Sequence, residues 1–344
     1  MKGHRWILAV LTAAILALSA CDEDDDDGGI IEPPDDGTAE LIAEIRESLP
    51  LSLHATAQGM RDWYNQPDGY GAIIGLDYET LGCKGCHVPA TGEDEACLVC
   101  HNDIQAAAEG TEVIDYQESC LTACHGRQNA EVAMGLPDVH RDAGMTCGEC
   151  HGVDEIHGDG TAGTTMFEHN FPETQCADCH VESGSAPVPP NIRAHRVHGD
   201  DLACESCHMS ASVTCYNCHF AEEVENHRKV AYRKYTDWLF LGNYQGQVHP
   251  MNFQSVEYEG HSFNAWGPFT GHTITAQGRD CNACHGNENI RAYDLAGGTL
   301  DVVRWNSDLS SLVPRTGIIP LAPGFAQSYT FDFVTKEGAG SWFF

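Results

Sequence analysis

The chain has 344 residues, of which 17 are cysteine and 19 histidine, and its formal net charge is −33. A surface that acidic repels nucleic acid and anionic lipid, so neither is expected as a charge-recognised partner. The cysteine count excludes an ordinary cytosolic enzyme and requires a framework of disulfides, metal or haem.

In chain order, residues 1–20 read first as a targeting segment. Lys2 and Arg5 form a short basic start, and Trp6 to Leu18 an apolar run too short for a membrane span. The run closes on Leu18-Ser19-Ala20-Cys21, which resembles the lipobox of exported bacterial lipoproteins. Cys21 is then the acylated first residue and the membrane anchor; the alternative is a plain signal peptide with a chance cysteine. Residues 21–38 are acidic and rich in Gly and Pro, and read as a solvated tether. Residues 39–82 follow as an N-terminal helical segment, with helical apolar spacing over 39–64 that Pro50 interrupts.

From residue 83 to 219 long apolar runs are missing, and Gly, Asp, Cys and His dominate. Such a segment has too little apolar surface to build its own core. Residues 220–344 differ: a short helical stretch precedes β-type runs at 237–244, 256–260, 272–275, 300–305 and 329–334. The expected fold is mostly irregular, with short helices organised around a haem stack and a smaller β-containing C-terminal region.

Seven C-x-x-C-H motifs carry the chemistry: Cys83/Cys86/His87, Cys97/Cys100/His101, Cys147/Cys150/His151, Cys176/Cys179/His180, Cys204/Cys207/His208, Cys215/Cys218/His219 and Cys281/Cys284/His285. Cys120/Cys124/His125 is an eighth with one extra residue between its cysteines. Two thiols on one turn can form thioethers to the haem vinyl groups, and the adjacent histidine then lies under the iron as proximal ligand. Zinc ribbons, disulfides and redox C-x-x-C sites have no need of a histidine directly after the second cysteine. Histidine is only 19 of 344 residues, so eight such placements are no coincidence. Together with Cys21 the eight motifs use every cysteine.

Ten histidines remain outside the leader and the motifs: His54, His140, His157, His169, His195, His198, His227, His249, His261 and His272. Eight irons with histidine on both sides would use eight of them. His140, His169 and His198 stand seven, seven and six residues before the next motif and are the leading distal candidates. Met145 and Met209 lie close to motifs but are read as packing residues. Eight haems in so short a chain must lie near van der Waals contact. The haem of Cys281/Cys284, which follows the long insert 220–280, is expected at one end of their row.

At these residues the chain resembles the multihaem lipoprotein cytochromes of dissimilatory metal-reducing bacteria. The resemblance rests on the eight motifs, the lipobox and the stretch NAWGPFTGHTITAQGRDCNACHG at 264–286, and covers most of residues 83–286. It implies transfer of respiratory electrons across or outside the envelope, with other periplasmic or outer-membrane cytochromes as partners and ferric oxide or another extracellular acceptor. The C-x-x-x-C-H motif and the missing large β-barrel domains depart from the best-known surface decahaem members. Two other functions are open to the same motifs. One is a reductase of nitrite, hydroxylamine or a sulfur oxyanion, although the C-x-x-C-K motif that marks many such enzymes is absent. The other is a protomer of an extracellular cytochrome filament. On the anchor, Cys21→Ser is expected to move the protein from the membrane fraction to the soluble fraction with its haem retained. Persistence in the membrane fraction would disprove the lipobox.

Overall fold

The structure is a computed structural model. It describes residues 37–56, 58–65, 70–81, 93–163, 174–182, 184, 186–228, 230–321 and 329–334. The leader, Cys21 and the tether up to residue 36 lie outside the described residues. So do Cys83, Cys86 and His87 of the first motif, and the expected distal ligand His169.

Short helices make up the N-terminal region and two mixed sheets the C-terminal half. Thr38–Ser48 is helical, and Pro50 turns the chain through a 3₁₀ segment, Leu49–Leu51, into the helices Leu53–Thr56 and Gln58–Asn65. Between residues 97 and 202 the elements are helical segments of at most eight residues, and none of the described residues there is a buried apolar side chain.

The larger sheet contains β1 (Thr214–His219), β2 (Ala231–Tyr235), β3 (Trp238–Tyr244), β4 (Gln247–Tyr258), β5 (His261–Pro268) and β8 (Gly317–Leu321). Its order is β2-β1-β4-β3-β8, with β5 paired along β4. β6 (Leu300–Asn306), β7 (Ser311–Pro314) and β9 (Tyr329–Phe331) form the second sheet. Both hairpins on β4 close through two-residue turns with positive φ at each position. These are Gln245-Gly246 (51° and 94°) and Glu259-Gly260 (48° and 81°), the mirror-image turn whose twist matches the flanking strands.

Aromatic and β-branched side chains fill the space these strands share. Tyr216, Trp238, Phe240, Phe253 and Ile319 of the first sheet join Leu300, Val302, Val303 and Leu312 of the second in one core. Phe253 is at its centre, with ring centroids 4.7 Å from Trp266 and 5.0 Å from Phe240. A second cluster fastens the N-terminal helices to the sheet: Tyr64, Tyr70, Tyr78 and Leu81 pack with Phe220 and Val256.

Two expectations change. The β part is no small appendage, because it begins at Thr214 inside the stretch expected to be all haem-packed. The 272–275 run forms one isolated bridge, Met209↔Ile274, and no strand, because Glu131 and Asp138 take the N–H groups of His272 and Ile274, while Ser210 and Val139 donate to the carbonyls of Thr273 and Ile274. Phe253→Ala would empty the middle of the core. The expected cost is about 3–5 kcal/mol, read as an earlier midpoint in urea denaturation.

Candidate haem-ligand pairs

Most of the motifs fold into one tight turn. In Cys97–His101, Cys147–His151 and Cys176–His180 the histidine N–H donates to the carbonyl of the first cysteine, at 2.9–3.0 Å. The Cys204–His208 and Cys281–His285 motifs are single α-turns. Acids next to or inside the motifs help to start the turn. Glu149 accepts from Thr146 N–H at 2.6 Å, Asp178 from Gln175 N–H at 2.7 Å, and Asp280 from Ala283 N–H at 2.9 Å. The attachment site expected at Cys83 and Cys86, with His87 as its proximal ligand, falls outside the described residues and contributes no geometry here.

The irregular motif keeps the same bond. Gln117–Thr122 is π-helical, and His125 N–H reaches the carbonyl of Cys120 at 2.9 Å. The extra residue is taken up by the wider turn, so first cysteine and histidine keep the relation they have elsewhere.

Six motif histidines each face a non-motif histidine. The ring centroids are 6.3 Å apart for His125 and His54, 6.0 Å for His101 and His157, and 6.1 Å for His180 and His140. They are 6.1 Å apart for His151 and His272, 6.3 Å for His208 and His195, and 6.0 Å for His285 and His198. An iron–imidazole bond of about 2.0 Å on each side, plus about 1.1 Å from Nε2 to ring centre, puts two axial imidazoles roughly 6.2 Å apart. The six separations fit an iron between each pair. Among the described residues, no group of three or more His, Cys, Asp or Glu is arranged to hold a bare metal ion.

The outer ring nitrogens are tied down. Backbone carbonyls face Nδ1 of His54 (Ile156, 3.0 Å), His157 (Val153, 3.1 Å), His180 (Pro187, 2.8 Å), His195 (Pro190, 2.8 Å) and His208 (Thr275, 2.8 Å). Glu112 faces Nδ1 of His101 at 2.7 Å, and Glu155 is in direct contact with Nδ1 of His151. An acceptor at Nδ1 fixes the proton there and leaves Nε2 as the ligating nitrogen. Burial pushes His125, His157 and His272 below the ordinary histidine value, which favours the neutral, ligating form.

His272 shows why the 272–275 run is a strap. Its own N–H donates to buried Glu131 at 3.2 Å, and Ile274 N–H donates to Asp138 at 2.9 Å. The Thr273 hydroxyl donates to the Ala211 carbonyl at 2.6 Å, and Gly271 N–H lies 2.9 Å from the sulfur of fully buried Met209. Desolvation raises the Glu131 carboxyl to about 7.

The thiols of successive motifs are neighbours. Burial first, then nearby Cys147 and Cys100, pushes Cys120 up to about 11. Cys150 is raised by burial and by Cys179, and the hydrogen bond that the Cys176 thiol donates to Cys204, with burial, raises Cys176. Cys207 is raised by burial with Cys281 nearby, and Cys284 by burial with Cys207 nearby. The motifs beginning at 97, 120, 147, 176, 204 and 281 therefore form a row, with the motif at 281 beside that at 204. Arg279 fixes this last junction, donating to the carbonyls of Cys207, Met209 and Ser210 at 2.7–2.9 Å.

The Cys215–His219 motif has another backbone. It is strand β1, and Tyr216 and Asn217 between its cysteines are fully buried. Asn217 has φ 55° and exchanges hydrogen bonds with Val334 at 2.7 and 3.1 Å. His219 is buried with Nδ1 3.8 Å from Glu257, and Cys215 lies near Arg127 of the Gly126–Ala133 helix. The six facing pairs fit haem ligation; this motif has the residues but not the turn.

Of the other histidines, His249 is 3.3 Å from Glu205, His227 caps the Phe220–Asn226 helix and His261 opens β5. None of these three faces a motif histidine among the described residues. No sequence signal named Glu112, Glu155 or the strap. No protein-family model, curated protein or solved structure matches the chain. Mass spectrometry of the holoprotein is expected to count eight haems and no alkylatable thiol. Seven haems with Cys215 and Cys218 open to alkylation would assign that motif to the sheet alone.

Proposed function

We propose that the protein is a multihaem c-type cytochrome that holds eight haems through its eight motifs and passes electrons along them. The observation that carries the reading is the set of six opposed histidine pairs at iron-spanning distance. Haem bound there supplies a one-electron ferric/ferrous couple. Histidine on both sides leaves no exchangeable position at the iron, which suits outer-sphere electron transfer and not substrate binding. The row of neighbouring thiols keeps adjoining sites close, so the six centres along it titrate as a coupled set.

We further propose an exported lipoprotein, anchored through Cys21 by its acidic tether. Its partners would be other redox proteins, and its acceptor a metal oxide or another extracellular oxidant. The support is the lipobox, the charge and the resemblance to cytochromes of metal-reducing bacteria. No helix among the described residues is long and apolar enough to cross a membrane.

A second reading is a reductase of nitrite, hydroxylamine or a sulfur oxyanion, which needs one iron with an open sixth position. Six of the ten non-motif histidines are in the facing pairs, and His227, His249 and His261 face no motif histidine among the described residues.

His157→Ala, His195→Ala and His198→Ala are each expected to add one equivalent of high-spin ferric haem and one carbon monoxide site. Electron paramagnetic resonance and carbon monoxide titration read both. Variants spectroscopically identical to wild type would disprove the pairing. One full high-spin equivalent in the wild type, with turnover of nitrite or hydroxylamine, would favour the reductase over the conduit.

A further inference from the structure

The acceptors at Nδ1 are of two kinds. Five ligand histidines donate to neutral backbone carbonyls, whereas His101 and His151 each meet a carboxylate within hydrogen-bond reach; Asp138 and Glu131 stand farther off, 4.0 Å from Nδ1 of His140 and of His272. Both carboxylates are held in place. Glu112 has 7% of its side chain exposed and also accepts the N–H groups of Asn102 at 2.6 Å and Asp103 at 3.2 Å. Glu155 has 4% exposed and sits one helical turn beyond His151. Water screens neither contact well, so each is stronger than the same pair at the surface.

We propose that Glu112 and Glu155 are positioning residues that make the haem sites of His101 and His151 the most reducing of the six-pair row. This rests on the cytochrome reading. A carboxylate drawing on the Nδ1 proton makes the imidazole a stronger donor. It also places negative charge close to the iron. Both effects favour the ferric state, which carries one more positive charge than the ferrous. A carbonyl dipole does this less. The two sites flank the irregular motif of His125 in the row, so an electron on the haem of His151 would run downhill towards the motifs at 176, 204 and 281.

The test is redox titration of the full holoprotein as wild type, Glu112→Gln, Glu155→Gln and Glu109→Gln. Glu109 is exposed and touches Gln105, not a histidine, so it controls for simple loss of charge. Each of the first two variants is expected to raise one haem's potential by a tenfold change in its ferric-to-ferrous ratio, 59 mV for a one-electron couple. Haem count and low-spin ligation should be unchanged, Glu109→Gln should match wild type, and Glu112→Asp should return towards it. A measurement without variants covers loss of haem on mutation: in the ferrous wild type, ¹⁵N-labelled His101 and His151 should show Nδ1 protons downfield of those of His180 and His208. Unmoved potentials in fully loaded variants, or coincident proton shifts, overturn the proposal. A wild-type protein without haem would instead overturn the cytochrome reading.

Discussion

Between residues 97 and 202 the described chain buries no apolar side chain, and everything else about this protein follows from that lack. A polypeptide orders itself only when burial outweighs the conformational entropy it gives up. Here the apolar material is concentrated elsewhere, in the two sheets and in the tyrosine cluster that fastens the N-terminal helices to them. What the middle of the chain has is histidines arranged across gaps of fixed width. Their geometry is maintained by hydrogen bonds that ring N–H groups donate to backbone carbonyls and carboxylates, each worth about 0.5–3 kcal/mol net. On the proposed reading, haem in those gaps is the missing core, and the sheets are a preformed wall beside it.

The motif turn explains how one local solution serves several sites. One bond, from the histidine N–H to the first cysteine's carbonyl, closes the turn and fixes both sulfurs relative to the ring. That bond survives the insertion at Cys120–Cys124 because a π-turn spans one residue more than an α-turn. It is absent from the β1 motif, where sheet pairing and the Asn217–Val334 bonds compete for the same backbone. The sheet and the motif make conflicting demands on these residues, and this is where sequence pattern and local structure part.

The facing of one histidine by another is a property of the tertiary fold. His140 and His198 stand just before the motifs at 147 and 204, yet they face His180 and His285, one or more motifs further on. His272 reaches His151 only because Glu131, Asp138, Ala211 and Met209 hold its segment as a strap. Such contacts join residues far apart in the chain, and neither spacing nor composition encodes them.

The sequence by itself determined where the eight cysteine–histidine motifs lie, because the thioether pair and proximal histidine proposed for them make a local chemistry that leaves a local pattern. It also determined that long apolar runs are missing over 83–219, that β-type runs lie in the later chain, and that histidine is plentiful enough for two ligands at each proposed iron. Only the tertiary structure decided which histidine faces which, since the partners come together through packing of distant segments. It likewise decided that the β region begins at Thr214, because β1 gains its partners from β2 and β4, much later in the chain. The two carboxylates at Nδ1 were legible nowhere in the pattern: Glu112 and Glu155 are ordinary acids among 51 until the fold sets each against a histidine.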